Sequence, residues 1–355
     1  MRRIAPVSQQ IGKLNEFWHV IALSNELRPG KSLKRSLHGF PVLLWRGVDG
    51  EVHALQDCCA HRRSPLSVKD YSAGRIVCPY HGWEYDSEGC LVHVPSDPKA
   101  CERLSCSVPR FNVLEESGFV WILAPSANAS ETPPRPDLSA YASWSSTYRA
   151  YKFETSVDLL IDNFMDPTHT ALVHDGLIRK SSQITEHEMV ISTRAEGVCV
   201  DYSEQIEQVG FGMQLLFGNS MRTKHRDEFL APNLVRVTYA INGTERFIAL
   251  IACTPLTSED GSENPLTLAL IQLRYQFGTL NFLVRPMISM LAKKVLQQDY
   301  EITRDQWRNQ RVFQQNKEHL MAADAVAARV VGFRNQLKDG SYPTDFSSQQ
   351  LRIRF

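Results

Sequence analysis

Cys59-Ala60-His61-Arg62 and Cys78-Pro79-Tyr80-His81-Gly82-Trp83 are the stretches on which the reading of this chain turns. Each offers one thiol and one imidazole, and sixteen residues lie between His61 and Cys78. One Cys and one His from each loop suit a cluster whose irons divide their ligands, two thiolates on one iron and two imidazoles on the other. Such a cluster is bound from both sides, so the two loops must be held at a fixed separation. Sixteen residues are enough for a hairpin excursion and return. Pro79 fixes one φ of the second loop, and Gly82 allows close backbone approach. Only Cys59 has a histidine two residues on, so Cys58 is not expected to be a ligand. A structural zinc site also uses two Cys and two His and stands as the plain alternative, although zinc sites more often pair C-x2-4-C with H-x3-5-H.

Around these loops, from Trp18 to about Leu123, short apolar runs are separated by Gly, Pro and Asp turns: His19–Leu23, Val42–Trp45, Arg75–Cys78 and Phe119–Leu123. That pattern predicts a small all-β module. Gly47-Val48-Asp49-Gly50 and Asp86-Ser87-Glu88-Gly89 read as hairpin turns, and both Cys/His loops are expected at hairpin ends.

A second constellation, Asp162-Asn163-Phe164-Met165-Asp166-Pro167-Thr168-His169-x4-His174, follows the linker. Val157 to His174 predicts a mostly helical segment, with Leu159, Leu160, Phe164, Leu172 and Val173 available for packing and Pro167 breaking it near Asp166. His169 and His174 are five apart, about 140° around an ideal helix, so both can face one metal only if the helix is distorted or ends between them. Two imidazoles with a carboxylate suit a mononuclear ferrous site with positions open to oxygen. By themselves, two histidines at this spacing are more often plain helix residues than ligands, and Asp166 could be a helix N-cap, which Pro167 would favour.

Ala124 to Ser146 is rich in Pro, Ala, Ser and Asn and predicts a linker between two domains. Beyond it, Tyr148–Thr155, Met189–Ser192, Leu234–Tyr239, Phe247–Ile251 and Leu266–Gln272 predict the strands of an antiparallel sheet. From about Asn281 to Gln315 a long helix is expected, with Phe282, Ile288, Leu291, Val295 and Leu296 as packing positions. It carries three acids, Asp299, Glu301 and Asp305, any of which could simply belong to a solvated face. The expected division is an N-terminal segment 1–17, a first domain 18–124, a linker 125–147, a second domain 148–335 and a C-terminal tail 336–355. The fold class is therefore α+β, a small all-β domain followed by one with a central antiparallel sheet and flanking helices.

At 355 residues the chain suits two domains, and 43% hydrophobic with 22% charged residues is ordinary for a globular protein. Lys+Arg and Asp+Glu both total 39, which gives no electrostatic reason to expect nucleic acid or an anionic membrane. The basic Met1-Arg2-Arg3 lacks an apolar stretch behind it, and Leu280–Leu296 is broken by Arg285, Pro286, Lys293 and Lys294, so a cytoplasmic protein without a membrane span is expected. Of the eight cysteines, Cys58, Cys90, Cys101, Cys106, Cys199 and Cys253 read as buried thiols or surface residues.

The two Cys/His stretches resemble the Rieske [2Fe-2S] motif, and the Asn163-x2-Asp166-x2-His169-x4-His174 string is similar to the iron motif of the Rieske non-heme iron oxygenases. The likeness runs from about Trp18 to the Asp299 helix. It implies a [2Fe-2S] Rieske cluster on Cys59, His61, Cys78 and His81, and a mononuclear Fe(II) on His169, His174 and Asp299, whose setting is like that of the family's late acidic ligand. It implies that Asp166 bridges a cluster histidine of one subunit to an iron histidine of the next, and hence a head-to-tail ring, a homotrimer. G-x-G-x-x-G is missing, Gly210-Phe211-Gly212 being the closest string, so electrons are expected from a separate NAD(P)H-dependent reductase, directly or through a ferredoxin. The branch it looks most like is that of the single-subunit monooxygenases and demethylases, such as vanillate demethylase, toluenesulfonate methyl-monooxygenase and the saxitoxin-pathway hydroxylases. The implied function is O2-dependent hydroxylation or demethylation of a small organic substrate. Ring cis-dihydroxylation is the runner-up, and a Rieske electron carrier or redox sensor, which has no need of the second site, is the alternative of another class.

Overall fold

Four consecutive apolar residues, Val42 to Trp45, are all buried, and the alternation of a strand sends them to two different cores. Leu43 and Trp45 pack with Leu55, Leu66, Ile76 and Tyr85, whereas Val42 and Leu44 pack with Ile21, Ala54, Val120 and Ile122. A strand covered on both faces needs no polar side, which is why this run is continuous. The computed structural model describes residues 14, 16–68, 74–127, 136–178, 184–208, 220–256, 265–313 and 319–355. Most of the expected N-terminal segment, linker residues 128–135, Gly210-Phe211-Gly212 and Gln315 lie outside the described residues. The chain divides into two units, Met1–Arg135 with Thr254–Gly261, and Pro136–Cys253 with Ser262–Phe355.

The first unit holds strands β1 (His19–Leu23), β2 (Ser32–Leu37), β3 (Phe40–Arg46), β4 (Val52–Gln56), β5 (Ile76–Val77), β6 (Glu84–Tyr85) and β7 (Leu91–His93), then helix α1 (Ala100–Arg103), β8 (Asn112–Glu116) and β9 (Phe119–Leu123). They form three small antiparallel sheets, ordered β1-β9-β8, β2-β3-β4 and β5-β6-β7. Residues 47–50 turn β3 into β4, and residues 86–89 turn β6 into β7. In the second turn Asp86 Oδ1 accepts from the Glu88 and Cys90 amides, and Gly89 has φ +81°. A Cβ at Gly89 would sit 2.1 Å from the Val108 carbonyl oxygen, so this site requires glycine on two counts.

The second unit combines one sheet with helices packed against its strands. Its elements are β10 (Ser145–Phe153), α2 (Val157–Met165), β11 (Glu186–Arg194), β12 (Gly197–Tyr202), β13 (Gln205–Gln208), β14 (Ser220–Leu230), β15 (Leu234–Ile241), β16 (Thr244–Leu256, whose last three residues count with the first unit), β17 (Leu266–Tyr275), α3 (Asn281–Phe313), α4 (Ala325–Lys338) and β18 (Ser348–Arg354). The nine-stranded sheet runs β10-β17-β16-β15-β14-β12-β11-β18, with β13 paired to β14. Where a C-terminal tail is expected, residues 348–354 instead pair antiparallel with β11 along the sheet edge. Only Ile353 of that strand is buried, so its composition carried no strand signal. In α4, Val326, Val330, Phe333 and Leu337 recur at helical spacing and are buried, and buried Arg334 donates to Asp158 Oδ1 at 2.6 Å and to the Pro232 carbonyl. Two residues expected to pack do not: Leu172 and Phe282 are exposed.

Candidate active site

Cys59 and Cys78 are both buried in the core that Leu43 and Trp45 help to form. The second loop closes the β5–β6 hairpin as expected: the Cys78 amide donates to the Trp83 carbonyl at 2.8 Å, the Gly82 amide to the Cys78 carbonyl at 3.0 Å, and Gly82 has φ +70°. The first loop is not a hairpin end, because it leaves β4 in one sheet and the chain returns in β5 of another. What holds it is Asp57, a buried carboxylate. Asp57 Oδ1 accepts from the Leu66 and Ser67 amides at 2.6 and 2.8 Å, and Oδ2 accepts from the Ser67 hydroxyl at 2.5 Å. Short backbone bonds, Cys59 N to Ser64 O and Arg63 N to Cys59 O, tighten the turn inside that clamp.

The two loops bring the imidazoles of His61 and His81 to 4.7 Å between centroids, with His61 stacked on Trp83 at 4.5 Å. Two buried thiols and two clustered imidazoles, one pair from each loop, fit a cluster with a sulfur side and a nitrogen side. Tyr85 lies 3.1 Å from Cys59 Sγ and accepts the Ala60 amide at 3.2 Å. Burial first, and then Cys59, raise the Tyr85 phenol above its ordinary range, so it stays a protonated donor to the sulfur. A hydrogen bond to a cluster sulfur stabilises the more negative, reduced state. Tyr85→Phe is therefore expected to keep the cluster and lower its reduction potential, by roughly 40 mV for a bond worth about 1 kcal/mol. A redox titration of the cluster's visible spectrum measures this, and an unchanged potential would show that the bond plays no part in tuning.

In the second unit, Ser156 caps α2 by accepting the Leu159 amide at 3.2 Å, and Pro167 ends it: Asp166 is extended, with φ −88° and ψ 113°. A short 3-10 turn, Thr168–Ala171, then re-aims the chain. This supplies the distortion that the five-residue spacing demands, and the rings of His169 and His174 come within 5.1 Å. Asp166 organises the turn: Oδ1 accepts from the Thr168 amide and hydroxyl at 2.7 and 2.6 Å, and Oδ2 from the His169 amide at 3.2 Å.

Each ring is oriented through Nδ1. His169 Nδ1 donates to the Asp166 carbonyl at 2.6 Å, and His174 Nδ1 to Gln298 Oε1 at 2.9 Å. Both Nε2 atoms consequently face Asp299 Oδ1, at 3.5 Å from His169 and 3.1 Å from His174. Asn163 Nδ2 donates to the same oxygen at 3.1 Å. Among the described residues, His169, His174 and Asp299 are the one group of three whose ligand atoms lie within 4.8 Å of one another. Asp299 is almost fully buried; burial raises its carboxyl, but hydrogen bonds from His169 and His174 outweigh that and hold it at about 2. Burial lowers the His169 imidazole while Asp299 and Asp166 raise it, with a net rise. Two imidazoles with Nδ1 committed and Nε2 turned toward an ionised carboxylate fit the two-His-one-carboxylate face of ferrous iron.

These three groups border a cavity of about 230 Å³. Its helix wall comes from α3, where Ile288, Leu291, Ala292, Val295 and Leu296 recur at helical spacing up to Asp299. Its sheet wall comes from odd-numbered residues of β14 to β17, including Tyr239, Phe247, Ala249 and Ile271. The wall also contains two polar side chains that were not anticipated, His225 and Asp227. They lie in the charged run Arg222-Thr223-Lys224-His225-Arg226-Asp227-Glu228, which reads as solvated until its period of two is noticed. The even residues Arg226 and Glu228 ion-pair with Asp201 and Arg236 on the opposite face.

Residues 17–112 match the Rieske [2Fe-2S] domain, and residues 153–339 match the vanillate O-demethylase oxygenase C-terminal domain. Among curated relatives, the dicamba O-demethylase oxygenase component of Stenotrophomonas maltophilia is 37% identical over 161 residues, 44% of this chain and 46% of that protein. The vanillate O-demethylase oxygenase subunit of a Pseudomonas strain is 30% identical over 198 residues, 54% of this chain and 53% of that one. Chlorophyllide a oxygenase of Arabidopsis thaliana is 29% identical over 179 residues, 49% of this chain and 32% of that one. The chain thus spans about half, or less, of the length of these relatives. Among solved structures, dicamba monooxygenase bound to dicamba has a TM-score of 0.77 at 21% identity, covering 92% of this chain and 97% of that one. Pseudomonas putida NdmA with caffeine has a TM-score of 0.74 at 22% identity, covering 94% and 93%. These two likenesses establish the fold.

Proposed function

The chain belongs to the family of the vanillate O-demethylase oxygenase C-terminal domain, joined here to a Rieske [2Fe-2S] domain, and from that membership we propose that it is the oxygenase component of a Rieske non-heme iron monooxygenase. Its reaction would place one atom of O2 into a C–H bond of a small aromatic or polycyclic substrate and reduce the other to water, consuming two electrons and two protons. Hydroxylation at an O- or N-methyl carbon would release that carbon as formaldehyde, which is demethylation. The observation that carries this reading is the convergence of His169, His174 and Asp299 on an apolar cavity. An electron carrier has no use for such an arrangement.

Cys59, His61, Cys78 and His81 would hold the cluster, and His169, His174 and Asp299 the iron. Bound there, the cluster would supply electrons one at a time and the iron would supply O2 activation. The chain's own part is positional. The Asp166 carbonyl and Gln298 fix the two imidazoles, and Asn163 fixes the Asp299 carboxylate. The apolar side chains of α3 and of the sheet exclude water around the substrate. We place Asp166 as the link between a cluster histidine of one subunit and His169 of the next, which calls for a head-to-tail homotrimer. Its carboxylate, partly exposed beside His169, supports that role. A separate NAD(P)H-dependent reductase would supply the electrons, directly or through a ferredoxin, as the oxygenase-component names of the relatives suggest. No helix among the described residues is long and apolar enough to cross a membrane, and we assign the protein to the cytoplasm.

Electron paramagnetic resonance of anaerobically purified protein, reduced with dithionite and then exposed to nitric oxide, tests the reading. A Rieske signal together with the high-spin signal of a ferrous site that binds nitric oxide is expected. A Rieske signal alone, in protein supplied with iron, would make it an electron carrier. Neither signal, in protein containing zinc, would overturn both sites.

A further inference from the structure

Asp227 is buried on the cavity wall, and its Oδ1 has no hydrogen-bond partner among the described residues. Burying a carboxylate oxygen without a partner is strongly unfavourable, so a native structure that does so calls for an explanation. The local register explains why the adjoining strands offer no partner. On the two neighbouring strands the residues directly opposite Asp227 are Val200 of β12 and Val237 of β15, and two positions along β14 stands Phe229. Two positions back on the same face stands His225, whose Nε2 lies 3.6 Å from Asp227 Oδ2 rather than Oδ1. His225 is held in place by stacking between Tyr202, at 3.8 Å, and Tyr239, at 5.3 Å. The contrast with the other face of β14 is sharp, since Arg226 and Glu228 there have partners of opposite charge. Asp227 also stands outside the group formed by His169, His174 and Asp299.

We propose that Asp227, braced by His225, is the substrate-recognition group of the cavity, and that the substrate is a small aromatic or heterocyclic molecule presenting an N–H or O–H donor, preferentially an ammonium, to Asp227 Oδ1. This inference rests on the monooxygenase reading for the cavity's use, and names the substrate class within it. The apolar remainder of the wall accommodates the ring, and the donor fixes its orientation, so that one carbon is offered to the His169, His174 and Asp299 end. A carboxylate at the same position of the substrate would face Asp227 with like charge and be rejected.

Four probes that differ in one substituent test it: 4-methoxybenzylamine, 4-methoxybenzyl alcohol, 4-methoxytoluene and 4-methoxybenzoate. Their binding to the anaerobic holoenzyme is measured by titration calorimetry, and formaldehyde release is measured separately with a surrogate reductase. The amine is expected to bind about tenfold more tightly than 4-methoxytoluene, with the alcohol between them and the benzoate weakest. In Asp227→Asn the preference for amine over alcohol should vanish, and in Asp227→Leu the amine should fall to the level of 4-methoxytoluene. Equal binding of amine and 4-methoxytoluene by the wild-type protein, or a ranking unchanged in Asp227→Asn, would overturn the proposal and leave Oδ1 to a buried water. The wild-type ranking decides even if a variant fails to fold. Binding that follows the donor without any formaldehyde or hydroxylated product would instead count against the monooxygenase reading alone, and turnover without donor preference against the recognition site alone.

Discussion

Replacing Asp299 with alanine is expected to reduce turnover by on the order of a thousandfold or more, the loss of several kcal/mol of metal-centred stabilisation, while the cluster keeps its visible spectrum. The Asp299 carboxylate is the one that both Nε2 atoms face among the described residues. Without it, two neutral imidazoles remain to hold a divalent ion, and the nitric oxide signal of the ferrous site should be lost along with activity. Asp299→Asn keeps the shape and can still meet Asn163, yet removes the charge, so it should fail as well. Glu301→Gln and Asp305→Asn serve as the comparison. Both acids are exposed on the same helix, and both variants should behave like the parent protein. Full activity in Asp299→Ala, or loss in Glu301→Gln equal to that in Asp299→Ala, would sink the ligand assignment. Bleaching of the cluster in Asp299→Ala would mean that the effect is one of folding.

Cys59→Ser should remove the cluster's colour and its electron paramagnetic resonance signal, and with them all reductase-driven turnover, whereas Cys58→Ser should retain both. The two cysteines are adjacent, but their settings differ. Cys59 is 1% exposed and within hydrogen-bond reach of Tyr85, while Cys58 is only partly buried. Serine is close to cysteine in volume, so the core around Leu43, Leu66 and Tyr85 should stay filled. The change is chemical, since an alcohol does not replace a thiolate as a cluster ligand. The mononuclear site should persist, and its nitric oxide signal in Cys59→Ser would show that the loss is confined to the cluster. A cluster lost in Cys58→Ser and kept in Cys59→Ser would reverse the assignment.

The candidate ligands are the part of this molecule that stood out most readily in its sequence. Cluster and iron sites favour particular residue types and spacings, so the Cys59/His61 and Cys78/His81 loops and the His169/His174 pair stand out as candidates before any geometry is known. The break at Pro167 was legible too, because an extended Asp166 is what a following proline demands. The choice of Asp299 among three acids becomes intelligible once Ile288, Ala292 and Val295 are seen on its face of α3. Other features were hidden for physical reasons. β18 buries little of itself, and its strand character comes from the edge of β11 rather than from its own composition. The first Cys/His loop looked like a hairpin end, yet it is secured by the carboxylate of Asp57, a hydrogen-bonding role across nine or ten residues that no periodicity announces. His225 and Asp227 were masked by charged neighbours that belong to the opposite face.

The cavity is built by two kinds of element with separate duties. Asp299 lies on α3, His169 on the 3-10 turn and His174 in the turn that follows it, whereas strands β14 and β15 carry His225, Asp227 and Tyr239. Substitutions on the strands and substitutions among the groups that orient the ligands should therefore combine additively, because they lie on separate elements of the cavity. Such a layout lets a lineage change what it binds without rebuilding how it reacts, one strand position at a time.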